Sequence, residues 1–469
     1  MASLSRQLAR WIVGLRYEDL PPAVVDRAKG VTLQCLSSIL IGAQTQPGKE
    51  AVELIVAEED GVRNGATILV DGRKVSKSGA AFANSEMAFA GGKWDTFKML
   101  MHPGTSVIPG VLAAAEANKA SGRDFITAVA AAYEVMERLA NDVIPTLMAR
   151  GFHASPVFGI FGAAIGAAKI AGLDEEQMNS TIALCASMAG GNLEGARSGG
   201  RALREGAAVR NALFAVALAR QGHIGGETVL EGDAGFYHAY VGNRHGDLTY
   251  SFEGRLHTDY MSVAAGLGKE WIMLETLYRI YSISGYNIAH IDVTAALCAE
   301  HDIKPADIER IEAVVNWLET QYPSPAFPVR REDTNRKPGS TAYHLAYAAA
   351  KRGYPMLGDW APQTARADDP PEIPELIKRV SIVPSQTMGL FAPRITITTK
   401  NGKSYAKQGT GREFIWDYEE QAKRIRGIDS GLPVSVAQFV KLIDACRTLD
   451  QLPRADALVG LTLKQAASA

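Results

Sequence analysis

The sequence predicts a mainly α-helical chain with one α+β segment inserted ahead of its C-terminal end, and three observations lead there. From Pro21 to about Gln221 apolar residues recur at helical spacing in Ala- and Gly-rich text, after about Gly266 short alternating stretches take over, and beyond Glu419 helical spacing returns. At 469 residues the chain is long for a single core, so two domains are expected. The shifts in pattern place a helical domain over 1–266 and 403–469 and an α+β domain over 267–402.

Taken in order, MASLSRQLARWIVGL reads as an amphipathic helix interrupted by Arg6, Arg10 and Arg16, with neither a continuous apolar core nor a small-residue cleavage site. No apolar run reaches the roughly 20 residues of a membrane span. With 49 basic and 51 acidic residues mixed along the chain, nothing asks for nucleic acid. A cytoplasmic protein with no membrane or nucleic-acid partner is the expectation. Pro21 and Pro22 open a helix that Gly42 closes, and Ser106, Asp124 and Asp174 read as N-caps of later ones. The interruption ATILVDGRKVS alternates around Asp71-Gly72 and predicts a small hairpin.

In the inserted segment, IERIEAVVNW within Asp307 to Thr320 reads as a strand, as do Val380 to Val383 and Ile395 to Thr399, the last followed by an Asn401-Gly402 turn. Gln321 to Pro338 has many prolines and charges and no period, so it reads as a loop. AKRIRGI and VAQFVKLIDACRTL are helical, and the latter is expected to return to the first domain. Cys35, Cys185, Cys298 and Cys446 lie far apart in apolar surroundings, which predicts buried thiols and no thiolate metal site or disulfide framework.

Chemistry concentrates in three places. His102 lies in KWDTFKMLMHPGTSVIPG, on an irregular stretch just before a helix, where the helix N-terminus disfavours an imidazolium and keeps the ring able to accept a proton. His153, in GFHASPVFGIFG, repeats that arrangement, with Ser155 and Pro156 at cap positions. A lone histidine is more often structural than catalytic; two in like settings raise the odds for catalysis. The third place is GGNLEGARSGGRALREG, a glycine-rich loop carrying Arg197, Arg201 and Arg204 before a helix beginning near Glu205. Guanidinium groups bind carboxylates in bidentate fashion and stay charged, although a solvated basic helix start is the plain alternative. The glycines do not form GxGxxG after a strand, so no dinucleotide site is expected.

The segments HPGTSVIPGVLAAAEA, GFHASPVFGIFGAAIGAAKIAGL, GAAVRNALFAVALARQG followed by TVLEGDAGF, and the region of Ile291-Asp292 stand in the order and spacing of the MmgE/PrpD family, which this chain resembles over nearly its whole length. Family members dehydrate, decarboxylate or epimerise small polycarboxylic acids. The resemblance implies a large all-helical domain with a smaller α+β lid inserted in it, a homodimer, a site in the cleft between the domains, and no cofactor or metal.

Carried over position by position, the resemblance makes His102 and His153 the catalytic histidines and adds Asp95, Thr96 and Ser155 as substrate-binding residues, the last standing where threonine is frequent. Three positions depart: Gly92 replaces an aspartate, and Arg201 and Arg279 replace lysines. Arginine keeps the charge of lysine but does not give up a proton, so these departures suit carboxylate binding better than proton shuttling. Arg201, Arg204 and Arg279 would hold the carboxylates of a small polycarboxylate, proton transfer would rest on the two histidines, and Tyr281 or Tyr343 would help. Dehydration requires only a base, a general acid and carboxylate clamps, and is the favoured reaction. Epimerisation or decarboxylation is the alternative, and a non-catalytic polycarboxylate-binding protein is the alternative of a different class.

Overall fold

A computed structural model describes residues 2–59, 61–62, 65–99, 101–194, 204–280, 283–327, 340–355 and 369–464, without the side chains of 204, 429 and 430. The chain is mainly helical with small sheets. It divides into two compact units, one of Met1–Leu248, His257–Ile280 and Trp416–Ala469, the other of Thr249–Leu256 and Tyr281–Ile415.

The first unit is a helical assembly. Helix α1 (Leu4–Gly14) starts where the Ser3 side chain accepts the Arg6 N–H, and it buries Leu4, Leu8 and Ile12, one face at helical spacing. Each such aliphatic side chain contributes about 1.5–3 kcal/mol by leaving water. Helix α2 (Pro22–Gly42) opens with proline at N1 and ends at Gly42, as the sequence predicts. After α3 (Gln46–Glu59), strands β1 (Ala66–Thr67) and β2 (Lys74–Val75) form the expected hairpin, with Gly72 at a φ of 92°. Helix α4 (Lys77–Gly91) then crosses α2 so closely that a Cβ on Gly42 would meet the Met87 carbonyl and one on Gly91 the Ser38 carbonyl. Glycine on both sides lets the two backbones touch.

Helices α5 (Gly104–Asn118), α6 (Gly122–Ala140), α7 (Ile144–Ala149), α8 (Ala154–Ile170) and α9 (Glu175–Met188) follow, and α5 and α6 both pack on α8. Asp174 caps α9, as expected. The caps of α5 and α6 differ from expectation. Ser106 lies inside α5, whose N-cap is Pro103. At α6 Ser121 is the N-cap, and Asp124 is the third helical residue of a capping box, its carboxylate accepting the Ser121 N–H at 3.1 Å. Helix α10 (Arg204–Arg220) packs on α4, α8 and α9, and α11 (Phe236–Val241) is short. The C-terminal helices α12 (Tyr418–Ile425) and α13 (Val436–Arg447) both return to α2, and α14 (Ala457–Thr462) packs on α13. All four cysteines are free and buried.

The second unit is α+β. Its sheet has the order β6 (Val380–Ser385), β5 (Ile308–Asn316), β7 (Arg394–Thr399), β8 (Ser404–Gln408), with β5 parallel to β6 and antiparallel to β7. The three strands read from the alternating pattern are present, and β8 was not anticipated. Helices α15 (Gly285–Glu300) and α16 (Thr341–Lys351) pack together, with α17 (Ile373–Ile377) against α16. Val293, Leu297, Ile311, Leu345, Ile395 and Ile397 meet in the core of this unit. Of the predicted loop from Gln321 to Pro338, the part beyond 327 lies outside the described residues. Among the described residues no helix is long and apolar enough to cross a membrane.

Candidate active site

A two-residue ladder in the first unit organises the site. Strand β3 (Asp95–Thr96) pairs antiparallel with β4 (Leu277–Tyr278), Asp95 opposite Tyr278, and one step further the Arg279 N–H donates to the Trp94 carbonyl at 3.0 Å. The chain reaches β3 from α4 through Gly92, whose φ of 69° ends the helix in a conformation that glycine adopts without steric cost. That turn accounts physically for glycine at one of the three departing positions. After β3 the Phe97 N–H donates to the Met101 carbonyl at 2.9 Å, closing a loop that delivers His102 to the start of α5.

His102 is buried, and hydrogen bonds hold both its backbone and its ring. Its backbone N–H donates to Ser155 Oγ at 2.9 Å, and its Nδ1 lies 3.1 Å from the Asp95 carbonyl and 3.3 Å from Thr96 Oγ1. A carbonyl oxygen only accepts, so Nδ1 carries the hydrogen. In the neutral ring Nε2 is then the basic nitrogen, the tautomer a general base requires.

Asp95 supports this arrangement from beneath. Its fully enclosed carboxylate accepts the Gly104 N–H at 2.9 Å and 3.1 Å, and accepts the Tyr133 hydroxyl. It therefore caps α5 from a distant strand, which is why Pro103 serves at the N-cap without a side-chain bond and why Ser106 is not needed there. Burial raises the Asp95 pKa to about 6, against the lowering action of the Tyr133 and Gly104 bonds. The described bonds of this carboxylate go to the protein, so it holds the histidine loop in place.

His153 is the N-cap of α8 and is buried. Its N–H donates to the Gly191 carbonyl at 3.0 Å, and the Leu193 N–H donates to the Gly151 carbonyl at 2.7 Å, so the histidine segment is laced to the chain leading into the glycine-rich loop. Ser155, two residues on, is the acceptor for His102. The starts of α5 and α8 are thus joined through one hydroxyl, and each carries a histidine.

Two residues beside the ladder were not singled out from the sequence. The Trp94 ring lies 4.4 Å from the His102 ring, centroid to centroid, and 4.7 Å from Phe89, while the Arg279 guanidinium stands 4.4 Å from the Trp94 centroid. Arg279 lies over the Trp94 ring and His102 meets the same ring at a tilt of 43°, so one indole lies against both the predicted arginine and the predicted histidine. The Arg279 carbonyl also accepts from Gln34 Nε2 at 2.9 Å, which ties β4 to α2. Lys93, next to Trp94, is buried, and burial followed by the charge of Arg279 lowers its pKa to about 8. The available signal was a lone lysine in the otherwise apolar and glycine-rich AFAGGKW.

Of the other predicted residues, Arg197, Arg201 and Tyr281 lie outside the described residues. Arg204 opens α10, where the Gly206 N–H donates to the buried Glu86 carboxylate at 2.8 Å; its side chain lies outside the description. Tyr343, in the second unit, donates its hydroxyl to Asp369 at 2.8 Å. Among the described residues no group of three or more His, Cys, Asp or Glu side chains is arranged to hold a metal ion. A surface cleft of about 670 Å³ lined by Tyr17, Asp26, Lys29, Arg123 and neighbours shares no lining residue with the histidine site.

The sequence profile of the MmgE/PrpD N-terminal domain matches residues 6–248. A cis-aconitate decarboxylase-like protein of Aspergillus oryzae is 26% identical over 296 residues, covering 60% of this chain and 59% of that protein. Cis-aconitate decarboxylase of Aspergillus terreus is 25% identical over 294 residues, 61% of this chain and 58% of the relative. The human cis-aconitate decarboxylase is 25% identical over 422 residues, 86% of this chain and 82% of the relative. The chain thus spans under three fifths of the length of the fungal relatives it matches.

Proposed function

The chain belongs to the MmgE/PrpD family, and on that premise we propose that it is a lyase that removes a proton beside a carboxylate of a small polycarboxylic acid and eliminates a group from the neighbouring carbon. His102 Nε2 takes the proton. The electron pair left behind is shared with the adjacent carboxylate, whose growing charge Arg279 and the Arg201 to Arg204 segment offset. The pair then forms a carbon–carbon double bond as a hydroxyl departs from the neighbouring carbon, taking a proton from His153 to leave as water. The scheme uses side chains alone. Asp95, Thr96 and Ser155 hold His102, Tyr281 is a further substrate contact, and the assembly is a homodimer in which a second copy covers exposed apolar side chains such as Phe214 and Ile224.

The observation that carries this reading is the bond from His102 Nδ1 to the Asp95 carbonyl, because it leaves Nε2 as the base. The test is a panel of hydroxy-, imino- and unsaturated di- and tricarboxylates incubated with the protein in deuterated water. A hydroxy acid that gains deuterium at the carbon beside a carboxylate, with release of the unsaturated product, supports the proposal. Decarboxylation is a second reading, favoured by the names of the three relatives. There a carbon–carboxylate bond breaks, carbon dioxide leaves, and a histidine returns a proton to the carbon. Binding without exchange or product would favour a polycarboxylate-binding protein.

A further inference from the structure

Helix α6 holds both strands of the ladder that carries the site. Tyr133 donates its hydroxyl to Asp95 on β3, and Glu137, one turn along the same face, accepts the Thr276 hydroxyl at 2.6 Å just ahead of β4. Thr276 is gripped a second time, because Arg27 on α2 donates to its carbonyl. The approach to β4 hangs from the same helix. Glu134 accepts the Met273 N–H at 3.1 Å, and Arg138, paired with Glu134, donates to the carbonyls of Val263, Ala265 and Glu270. Glu137 and Thr276 are fully buried. Burying a carboxyl group costs free energy that an apolar side chain would not cost, so stability alone does not account for a glutamate at this position. Beyond Thr276, β4 delivers Arg279 to the Trp94 carbonyl and to the face of the Trp94 ring.

We propose that Glu137 is a positioning residue for carboxylate binding: by holding the Thr276 hydroxyl it sets where β4 places Arg279 relative to His102. Tyr133 does the same for the other strand, through the Asp95 carboxylate that supports the His102 loop. One turn of α6 thus spaces the carboxylate clamp from the base, and the spacing selects acids whose bound carboxylate and reacting carbon match it. The inference deepens the proposed function and rests on Arg279 binding a carboxylate; it does not depend on which bond is broken.

The experiment compares Thr276→Val, which keeps the shape and removes the hydroxyl, with Thr276→Ser and Glu137→Gln, which keep the donor and the acceptor. Affinity is measured by calorimetry with propane-1,2,3-tricarboxylate, which lacks a hydroxyl to eliminate, on the full-length protein. Thr276→Val should weaken binding roughly tenfold, the size of effect expected when a positioned group moves by a fraction of an ångström. The peptide containing Leu277–Arg279 should lose amide protection in the same variant, and with any panel acid that reacts KM should rise while kcat changes little. Thr276→Ser and Glu137→Gln should retain most of the affinity. Tyr133→Phe should show the opposite split, with kcat falling more than KM rises. Glu137→Met removes the acceptor instead of the donor and should reproduce Thr276→Val, so the test stands if one of the two fails to fold. A loss of affinity in Glu137→Gln equal to that in Thr276→Val would overturn the proposal, because charge and not the accepted bond would then matter. Unchanged affinity in Thr276→Val, equal effects on KM and kcat, or no binding of tricarboxylate by the natural protein would overturn it too. Turnover of a panel acid with an unchanged KM in Thr276→Val would remove the positioning role and leave the lyase reading. Thr276-dependent binding with no turnover of any panel acid would do the reverse.

Discussion

His102 donates its backbone N–H to Ser155 Oγ at 2.9 Å, and this bond couples the turn before α5 to the first turn of α8. Ser155→Ala should leave a buried N–H unpaired at a cost of about 1–3 kcal/mol, read as a lower denaturation midpoint. Because the bond positions a base, turnover should fall more than substrate affinity, whereas Ser155→Thr should keep both. Equal losses in affinity and turnover would mean that the hydroxyl contacts substrate instead.

Tyr133 is the next support outward, since its hydroxyl donates to the Asp95 carboxylate that caps α5. Asp95 has a folded pKa raised to about 6 by burial, so its contribution to stability is fully present below about pH 4 and is lost as pH rises through 6. Removing the donor in Tyr133→Phe weakens the charged form most. The variant should therefore be destabilised more at pH 8 than at pH 5, by about 1.5–3 kcal/mol at the higher pH. A pH-independent loss would show that the hydroxyl acts only through packing.

A buried cluster in the second unit predicts a stability optimum. His290 Nε2 lies 3.7 Å from Glu319 Oε2, and burial lowers the His290 pKa to about 4 and that of His344 to about 3 while raising Glu319 to about 8. The histidine contributions are present above about pH 6.5 and lost on acidification; that of Glu319 is present below about 4.5 and lost as pH rises toward 8. Protection of the amides in α15 and α16, taken relative to their intrinsic exchange rates at each pH, should be highest near pH 6.5. Glu319→Gln should remove the loss of protection between pH 6.5 and 8, and persistence of that loss would sink the assignment.

Much of this was legible in residues. Helical spacing gave the N-terminal helices, and alternation gave β5, β6 and β7, because both periods report which face is buried. Strand β8 escaped because its face is half-buried at best, so SYAKQ carries no apolar alternation. The cap at α5 escaped because Asp95, its partner, sits nine residues away on a strand, and a local pattern contains no signal for that bond. His102, His153 and Arg279 were readable from motif and resemblance. Lys93 and Trp94 were not, since their meaning comes from a ladder whose other strand lies more than 180 residues downstream.

Arg279→Lys separates charge from shape at the same stack. The substitution keeps a cation but loses the planar group over Trp94 and bidentate binding, so KM should rise by about tenfold or more while kcat falls less. A larger effect on kcat than on KM would place Arg279 in proton transfer and contradict its role as a clamp.

The central claim is that His102 removes a proton beside a carboxylate. Its most direct measurement is solvent deuterium incorporation into a saturating panel acid by His102→Gln beside the natural protein. The account predicts that the natural protein labels the acid at one carbon, and that His102→Gln labels it about 10² to 10⁴ times more slowly while binding it with little change in affinity. Labelling by His102→Gln at the natural rate under saturation would contradict the account, because the base would then be another group.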